Sequence, residues 1–323
     1  MKAAIVQAYG DPLSAIAFTE IPEPPAPAAG EVLVSVEYAP INPADLLLLM
    51  GIYAVRPELP SVAGNEAVGR IAAVGAGVTA VKPGDRVTLP LSSFTWRERM
   101  LVPAAGLVPL PASADPQQLA MVRVNTVTAS LLLSEFKQLP RGSWVLQNAA
   151  NSGVGRSVIA LAREQGLKTA NIVRRPELVA ELTLAGADAV VVDGPELAAQ
   201  IRHATGNADI GFALDGLSGD HTGKLAAALS HGATLVTYGA MSSGAINVGV
   251  GDLLFKNLSL RGFFVGHPHH ASKIADRIRE GAALVAAGKL HVPVAAIYPL
   301  SDVKQAVAHA VRGGKVMLQI ATG

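Results

Sequence analysis

The segment from Val145 to Gly155, VLQNAANSGVG, constrains the fold more than any other part of the chain. It is a short apolar run, a turn of small and polar residues, and the start of an amphipathic stretch that ends near Gln165. This order predicts a strand, a tight turn and a helix, whose first free N–H groups can hold the diphosphate of a dinucleotide. Of the three glycines in the usual fingerprint only Gly155 is kept cleanly. The turn alone therefore also fits a generic strand-to-helix connection.

Alternating strands and helices are predicted from about residue 123 to residue 267. The helices at 154–165 and 177–185 are each stopped by a glycine, Gly166 and Gly186. Several of the strands are apolar throughout, as strands buried on both faces of a parallel sheet are. The prediction is an α/β fold with a doubly wound parallel sheet. Its strands are expected at 145–147, 169–173, 189–192, 210–214, 234–238 and 259–263.

The flanking residues, 1–122 and 268–323, are predicted to form one β-rich domain. The first part is rich in proline, glycine and β-branched residues, and its short strands are expected at 3–7, 31–38, 68–74 and 86–89. Asn42-Pro43-Ala44-Asp45 predicts a helix start, with Asn42 as N-cap and a carboxylate in the first turn. The last part is expected to contain a long helix and a strand–helix–strand return, at 271–288, 294–298, 302–312 and 316–320.

Composition excludes several classes of chemistry. With no cysteine among 323 residues, the chain has no disulfide framework, no thiolate zinc site and no cysteine nucleophile. A formal net charge of +1 argues against a nucleic-acid or anionic-membrane partner. The start, MKAAIVQAYG, is typical of a strand and lacks the features of a signal or transit peptide, and no apolar run is long enough for a membrane span. A cytoplasmic location is therefore expected.

The order of the domains resembles the medium-chain dehydrogenase/reductase superfamily, which joins a GroES-like β-rich catalytic domain to a Rossmann domain. Seven segments resemble one branch of it, the trans-2-enoyl thioester reductases of fatty-acid synthesis. They are INPADLLLLMGIY, PELPSVAGNEAVG, TWRERM, QNAANSGVG, VTYGAM, FKNLSLRGF and GGKVMLQI. The zinc-free quinone reductases share the framework and differ in these segments. The resemblance implies a GroES-like domain at 1–122 and 268–323 and a Rossmann NADP-binding domain at 123–267.

The resemblance implies a reaction without zinc. Zinc alcohol dehydrogenases have a cysteine near Asn42 and a histidine where Asn65 stands, and neither ligand is present here. Reduction of an activated carbon–carbon double bond does not need the metal, because the thioester carbonyl delocalises the charge. Tyr53 matches the proposed proton donor of the branch, and a neutral phenol suits that role at pH 7. The alternative is an ordinary loop tyrosine.

Arg174 and Arg175 follow the second strand of the predicted Rossmann domain, about twenty residues past the glycine turn. An acidic residue there would bind the ribose hydroxyls of NAD, whereas arginine suits the 2′-phosphate of NADP. The sequence therefore favours NADP (NADPH), with a solvated basic pair as the alternative. Asn171 and Asn151 are candidates for further polar contacts.

Other cofactor contacts are expected at the glycine turn, near the nicotinamide and at the carboxyl ends of the strands. Asn125 and Lys315 are implied by the resemblance; a helix cap and a solvated lysine are the alternatives. For the aromatic residues after the last strand the alternative is core packing. The candidates are Asn125, Asn151, Ser152, Gly153, Val154, Tyr238, Gly239, Ala240, Met241, Phe263, Phe264, Val265 and Lys315.

Candidates for the acyl-chain surface are Asn42, Met50 and Trp96, although apolar helical positions more often belong to a core. Glu66 is expected to be a buried polar anchor and is given no chemical role. His267, His269 and His270 are expected in a solvated loop, because a metal site would need a further ligand and a fixed geometry.

Three functions remain open from the sequence. The first is NADPH-dependent reduction of a trans-2-enoyl thioester, carried by CoA or by acyl carrier protein. The second is a zinc-independent quinone or activated-alkene reductase, and the third is a non-catalytic NADPH-binding protein. The resemblance also implies a homodimer formed by the edges of two Rossmann sheets, with residues 248–254 in the right region.

Overall fold

The computed structural model describes residues 1–242 and 244–321. The chain divides into two compact units, here called the β-rich unit (Met1–Val124 and Ala271–Gly323) and the Rossmann unit (Asn125–His270). The chain therefore leaves the β-rich unit once and returns to it. In the part of the chain that the structure describes, no helix combines the length and the apolar character needed to cross a bilayer.

The strands are β1 (Lys2–Val6), β2 (Ile16–Glu20), β3 (Glu31–Ile41), β4 (Ser61–Val62), β5 (Val68–Val74), β6 (Arg86–Thr88), β7 (Arg99–Pro103), β8 (Trp144–Gln147), β9 (Lys168–Val173), β10 (Ala189–Val192), β11 (Phe212–Asp215), β12 (Thr234–Thr237), β13 (Ser259–Gly262), β14 (Ala296–Pro299) and β15 (Val316–Gln319). The α-helices are α1 (Pro12–Ala15), α2 (Pro43–Leu49), α3 (Pro116–Leu119), α4 (Val127–Glu135), α5 (Gly153–Gln165), α6 (Leu178–Leu184), α7 (Leu197–Ala204), α8 (Asp220–Ala228), α9 (Val250–Phe255), α10 (Ile274–Ala286) and α11 (Val303–Arg312). A π-helix covers Val122–Thr126, and 3-10 turns cover Pro268–Lys273 and Leu300–Asp302.

Strand β3 organises the β-rich unit. Its alternating valines, Val32, Val34 and Val36, are fully buried, whereas the residues between them are partly exposed. This alternation is the pattern of an antiparallel strand with one face on a core. Strand β3 pairs antiparallel with β5, β7 and β15, and the sheet extends to β6 on one side and β14 on the other. A smaller sheet has the order β2-β1-β4.

The C-terminal return brings distant residues to the end of β3. Strand β15 pairs antiparallel with β3, and Val316 is the partner of Ile41. Lys315 therefore stands beside Asn42, the residue that follows β3 and precedes α2. This register places the two residues at one position of the sheet, although they are 273 positions apart in the chain.

The Rossmann unit contains the predicted parallel sheet. Its order is β10-β9-β8-β11-β12-β13, and every neighbouring pair in this described sheet is parallel. Strand β8 is the first of the series, so the order is 3-2-1-4-5-6, that of a doubly wound dinucleotide fold. The predicted α/β fold class is confirmed, and each predicted strand of this unit lies within two residues of its expected bounds.

The expected helix at 271–288 is shorter than the sequence analysis predicted. The segment from Pro268 to Lys273 is a 3-10 turn, and the α-helix begins at Ile274 and ends at Ala286. Strand β13 also differs from the buried strands of its sheet, because all four of its residues are exposed at the sheet edge. Strands β2, β4 and β7 were not predicted.

Candidate active site

The turn after β8 has the form expected of a dinucleotide-binding turn. Ser152 is the N-cap of α5, and its Oγ accepts the N–H of Gly155 at 3.1 Å. A side chain at Gly155 would place its Cβ 2.5 Å from the carbonyl oxygen of Ala150, so only glycine fits. Ala149 adopts a left-handed φ of 48°, the conformation that glycine supplies at lower cost in most such turns. Asn151 is exposed and Val154 half-buried at the same turn.

Asn125 lies directly over this turn. A Cβ at Gly153 would approach the Asn125 amide to 2.7–2.9 Å, so the missing side chain of Gly153 makes room for that amide. Asn125 is only 5% exposed, and its Nδ2 has no hydrogen-bond partner among residues 1–242 and 244–321. The N-cap of α4 is Thr126, so the alternative role of Asn125 as a helix cap is wrong. A buried amide donor without a partner is a group that a ligand can satisfy.

Arg174 and Arg175 differ in what they contact. Both follow β9 and are exposed. Arg175 forms an ion pair with Glu177 at 3.5 Å. Arg174 has no ion pair or hydrogen bond with any described residue, so its guanidinium is available to an anion. Asn171, by contrast, is fully buried and donates to the carbonyl oxygen of Ala189 at 3.0 Å, so it is a structural residue of the sheet and not a cofactor contact.

The end of β12 approaches the loop after β11. The Tyr238 hydroxyl would lie 2.7 Å from a Cβ at Gly216, and a Cβ at Gly239 would lie 2.5 Å from the Gly216 carbonyl oxygen. Both glycines are therefore required by close packing at the carboxyl edge of the sheet. Burial, and then the Asp215 carboxylate, raise the pKa of Tyr238, so its hydroxyl is neutral. Ala240 and Met241 are exposed beside it.

Asp215 and Asn148 were missed by the sequence analysis. The buried Asp215 carboxylate accepts the Asn148 amide at 2.7 Å, the Ser218 N–H at 2.9 Å and the Thr222 hydroxyl at 2.6 Å. Asn148 in turn accepts the N–H of Gly216 at 2.7 Å. The pair fixes the loops after β8 and β11. The sequence signal that could have identified Asp215 is its position as an aspartate directly after a predicted apolar strand.

The aromatic residues after β13 have mixed surroundings. The Phe263 ring packs against the rings of Phe136 and His270, at centroid distances of 6.1 and 5.1 Å, which agrees with the packing alternative. Phe264 is 39% exposed and Val265 is half-buried.

The histidine segment is partly buried. His267 and His269 are exposed and their Nδ1 atoms lie 2.6 Å apart, as expected of a surface loop. His270 is only 2% exposed, so the prediction of a solvated loop is wrong for this residue. The 3-10 turn directs it inward against Phe263. Within the described ranges, no group of three or more histidine, aspartate or glutamate side chains has an arrangement that could hold a metal ion.

A buried polar cluster lies in the β-rich unit where β3 meets α2. It consists of Asn42, Asp45, Asn65, Glu66 and Lys315, and is called the polar cluster below. The Asp45 carboxylate accepts the backbone N–H of Asn42 at 2.7 Å and both the N–H and the side-chain amide of Asn65 at 2.9 Å. Asn42 is the N-cap residue of α2, as predicted, although its side chain is directed to Glu66 and Lys315.

The charges of the polar cluster are strongly perturbed. Burial raises the pKa of Asp45 to about 6 and that of Glu66 to about 7, against the opposing effect of the Lys315 ammonium and several hydrogen bonds. Burial lowers the pKa of Lys315, while the two carboxylates act in the other direction. Perturbed groups of this kind concentrate at functional sites, although structural networks also produce them.

Tyr53 lies in the loop after α2. Its N–H donates to the carbonyl oxygen of Leu47 at 3.2 Å, and its ring packs partly against the core of the β-rich unit. Burial, and then the Asp45 carboxylate, raise the pKa of Tyr53 to about 12. The phenol is therefore protonated at neutral pH. Met50, at the end of α2, is 45% exposed.

Trp96 is not a surface residue. It is fully buried in the core of the β-rich unit, and a Cβ at Gly64 would lie 2.3 Å from its ring. Its role as an acyl-chain contact is therefore wrong. Its backbone explains the burial, because its N–H donates to the carbonyl oxygen of Ala63 and its own carbonyl accepts the N–H of Ala4, both at 2.9 Å.

Comparison with known proteins covers both units. The alcohol dehydrogenase GroES-like domain family matches residues 28–112, and the zinc-binding dehydrogenase family matches residues 153–280. A mitochondrial enoyl-acyl-carrier-protein reductase of Caenorhabditis elegans is 38% identical over 85% of the chain and 80% of its own length. The protein of that name from Rattus norvegicus is 34% identical over 100% of the chain and 88% of its own length.

Among solved structures, a putative NADPH:quinone reductase from Bacillus thuringiensis has 28% identity and a TM-score of 0.89, with 99% of both chains covered. Escherichia coli quinone oxidoreductase complexed with NADPH has 25% identity and a TM-score of 0.88, with 99% of this chain and 100% of that chain covered. The GroES-like and Rossmann architecture predicted from the sequence is confirmed.

Proposed function

Because the chain belongs to the enoyl thioester reductase branch of the medium-chain dehydrogenase/reductase superfamily, we propose that it reduces the carbon–carbon double bond of trans-2-enoyl thioesters with NADPH. The relatives that support this are named as enoyl reductases, and one of them is similar over the whole chain. The proposed substrate is an enoyl group on CoA or on acyl carrier protein. Cofactor binding is assigned to residues 123–267, and substrate chemistry to residues 1–122 and 268–323.

The place of Tyr53, half-buried in the loop after α2 and near the Asp45 carboxylate, is the observation that carries the proposal. When bound, NADPH supplies the hydride that the β-carbon of the substrate accepts, which leaves an enolate conjugated with the thioester carbonyl. Tyr53, with its pKa raised to about 12, holds a proton that it can donate toward the α-carbon. The product is the saturated thioester, and Tyr53 regains its proton from solvent.

Residues of the Rossmann unit suit the cofactor. Ser152, Gly153 and Gly155 shape the turn at the start of α5, where the first N–H groups of the helix can hold a diphosphate. Arg174 offers an unpaired guanidinium for the 2′-phosphate that distinguishes NADP from NAD. Asn125 offers a buried amide donor next to the turn. Further proposed contacts in this unit are Asn151, Val154, Arg175, Tyr238, Gly239, Ala240, Met241, Phe263, Phe264 and Val265. Lys315, a cofactor contact implied by the resemblance, belongs to the β-rich unit.

The test is Tyr53→Phe, assayed by the oxidation of NADPH with crotonyl-CoA and longer enoyl-CoAs. Loss of a proton donor is expected to lower kcat by about 100-fold or more, because general acid catalysis contributes about 10²–10⁴. NADPH binding, measured by fluorescence, should be unchanged. Tyr38→Phe is the matched control, because the Tyr38 hydroxyl has no hydrogen bond to a described residue. Unchanged turnover in Tyr53→Phe would remove this residue from the mechanism.

A second candidate is a zinc-independent quinone or activated-alkene reductase. It is favoured by the likeness to two quinone reductase structures over 99% of this chain. It predicts turnover with quinones and none with enoyl-CoAs, and retained activity in Tyr53→Phe. Tight NADPH binding without turnover on any enone or quinone would instead support a non-catalytic role. One steady-state panel of enoyl-CoAs and quinones separates the three.

A homodimer is proposed through the edge of the Rossmann sheet. Strand β13 pairs with β12 on one side, and its residues are exposed. The neighbouring α9 exposes Val250 by 70%, Leu254 by 69% and Phe255 by 83%. An apolar helix beside an unpaired strand edge is a surface that a second copy can cover. A monomer mass at micromolar concentration would contradict the proposal.

A cytoplasmic location and the absence of a nucleic-acid partner remain predictions. The relatives are named mitochondrial, so cell fractionation against mitochondrial markers is the deciding measurement.

A further inference from the structure

The Lys315 ammonium has more N–H donors than hydrogen bonds. It precedes β15 and is partly buried, and its Nζ donates to Asn42 Oδ1 at 2.6 Å. A lysine ammonium has three N–H donors. The other two have no hydrogen-bond partner in the described ranges 1–242 and 244–321. They are therefore available to an oxygen atom of a ligand.

The Asn42 amide has one compatible orientation. Its Oδ1 faces an ammonium, which can only donate, and its Nδ2 donates to Glu66 Oε1 at 2.7 Å, an oxygen that can only accept when ionised. Reversing the amide would set donor against donor at Lys315 and acceptor against acceptor at Glu66. Asn42 is 4% exposed, so water cannot readily replace either partner.

Glu66 anchors the other end of this chain of bonds. Its Oε2 accepts the backbone N–H of Val124 at 2.8 Å, and its backbone carbonyl accepts the Thr95 hydroxyl at 3.0 Å. The side chain is fully buried. Within the described residues no direct ion pair joins Glu66 to Lys315, so the amide of Asn42 connects the anion to the cation.

We propose that Glu66 is a positioning residue: through Asn42 it fixes the direction in which the Lys315 ammonium offers its two unused N–H donors to a ligand. The inference rests on the proposed function, in which Lys315 is a cofactor contact. It adds a reason for a buried carboxylate and a buried amide that the reaction itself does not use.

The chemistry requires a carboxylate at position 66. A glutamine there has one acceptor oxygen for two donors, the amide of Asn42 and the N–H of Val124. If that oxygen serves Val124, the NH₂ group of the glutamine faces the NH₂ group of Asn42. The Asn42 amide then reverses to relieve that repulsion. Its NH₂ group faces the Lys315 ammonium, which loses its hydrogen-bond acceptor.

The experiment compares Glu66→Gln, Lys315→Met and the double variant by their dissociation constants for NADPH, with fluorescence as the signal. Each single variant is expected to bind NADPH about tenfold or more weakly, since a hydrogen bond to a charged group contributes about that much. The double variant should bind no more weakly than Lys315→Met alone, because both changes remove one interaction. In turnover, KM for NADPH should rise while kcat at saturating NADPH stays within about twofold.

Thr95→Val is the matched control. It removes a fully buried hydrogen bond to Glu66 but leaves the bonds to Asn42 and Val124 in place. NADPH affinity should be unchanged in this variant. If Glu66→Gln does not fold, Asn42→Ala tests the same link, because it keeps the bond from Val124 to Glu66 and is expected to show the same loss of affinity.

Three results would overturn the inference. Full NADPH affinity in Glu66→Gln, or in Asn42→Ala, combined with a loss in Lys315→Met, would show that Lys315 needs no anchor. A double variant that loses the product of the two single losses would show independent roles. Unchanged affinity in Lys315→Met would also overturn it. Because binding is measured without turnover, absence of enoyl reduction would refute the proposed function and leave this test intact.

Discussion

Gly153→Ala is expected to destabilise the Rossmann unit through one contact. The added Cβ would lie 2.7–2.9 Å from three atoms of the Asn125 amide, well inside ordinary van der Waals contact. Asn125 is 5% exposed and cannot move into solvent without disturbing its neighbours. Overpacking of this kind costs about 1–3 kcal/mol. Alanine regains about 1 kcal/mol over glycine in a helix interior and less at Gly153, the first residue of α5, so the net loss should be about 1–2 kcal/mol.

The assay is differential scanning calorimetry. For a unit of this size, 1 kcal/mol corresponds to about 2–4 °C in Tm, so Gly153→Ala should lower the Tm by about 2–8 °C. In an Asn125→Ala background the same change should be neutral or slightly stabilising, because the clash has been removed. An equal loss in both backgrounds would refute the argument.

Gly155→Ala is the matched control for this prediction. Its Cβ would lie 2.5 Å from the Ala150 carbonyl oxygen, an atom of the backbone. Asn125→Ala should therefore not rescue it. A rescue would mean that Asn125 acts on the turn as a whole and not through contact with Gly153.

The remaining predictions concern cofactor choice, pH and assembly. Arg174→Ala should weaken NADPH binding about tenfold or more and leave NADH binding unchanged, whereas Arg175→Ala, whose side chain is already paired, should have a smaller effect in the same binding assay. The raised pKa values of Asp45 and Glu66 mean that the folded state binds protons more tightly, so the free energy of unfolding should fall as pH rises from about 4 to about 7. Glu66→Gln should flatten the profile measured by denaturant unfolding, because it removes a buried carboxyl whose pKa is raised to about 7. Leu254→Asp should convert the proposed dimer to a monomer in sedimentation velocity, and an unchanged mass would point to another surface.

Two residues of the polar cluster, Asn42 and Asn65, lie near or at positions where the resemblance places zinc ligands in the alcohol dehydrogenases. Asn65 accepts the Ser92 hydroxyl and donates to Asp45. Asn42 connects Glu66 with Lys315. Amide groups suit this arrangement because each both donates and accepts, and can therefore join a carboxylate to an ammonium.

Much of the fold follows from local sequence. The segment at Val145–Gly155 predicts a strand, a turn and a helix. The reason is that an apolar run, a turn of small residues and the start of an amphipathic stretch follow one another directly in the sequence. The alternating valines of β3 predict an antiparallel strand for the same local reason. The start of α10 was predicted three residues too early, because the 3-10 turn at Pro268–Lys273 leads directly into the helix and 3-10 turns are frequent at helix N-termini.

The site depended more on tertiary structure. Asp45 has the sequence features of a helix start, and its pKa near 6 comes from burial that only the folded chain imposes. Trp96 was expected at a surface and is fully buried, because no local pattern distinguishes an aromatic core residue from a ligand contact. His270 is buried for a similar reason, since the turn that directs it inward is set by its packing against Phe263.

The sequence by itself determined the two architectures, the Rossmann turn and the residue types at each candidate position, because these depend on neighbours within a few residues. Tertiary structure decided which of those residues act together. Lys315 meets Asn42 across 273 positions only because β15 pairs with β3 in a register that sets Val316 opposite Ile41. That register depends on which faces of both strands are buried, and the residues around Lys315 do not by themselves show which distant strand they will meet.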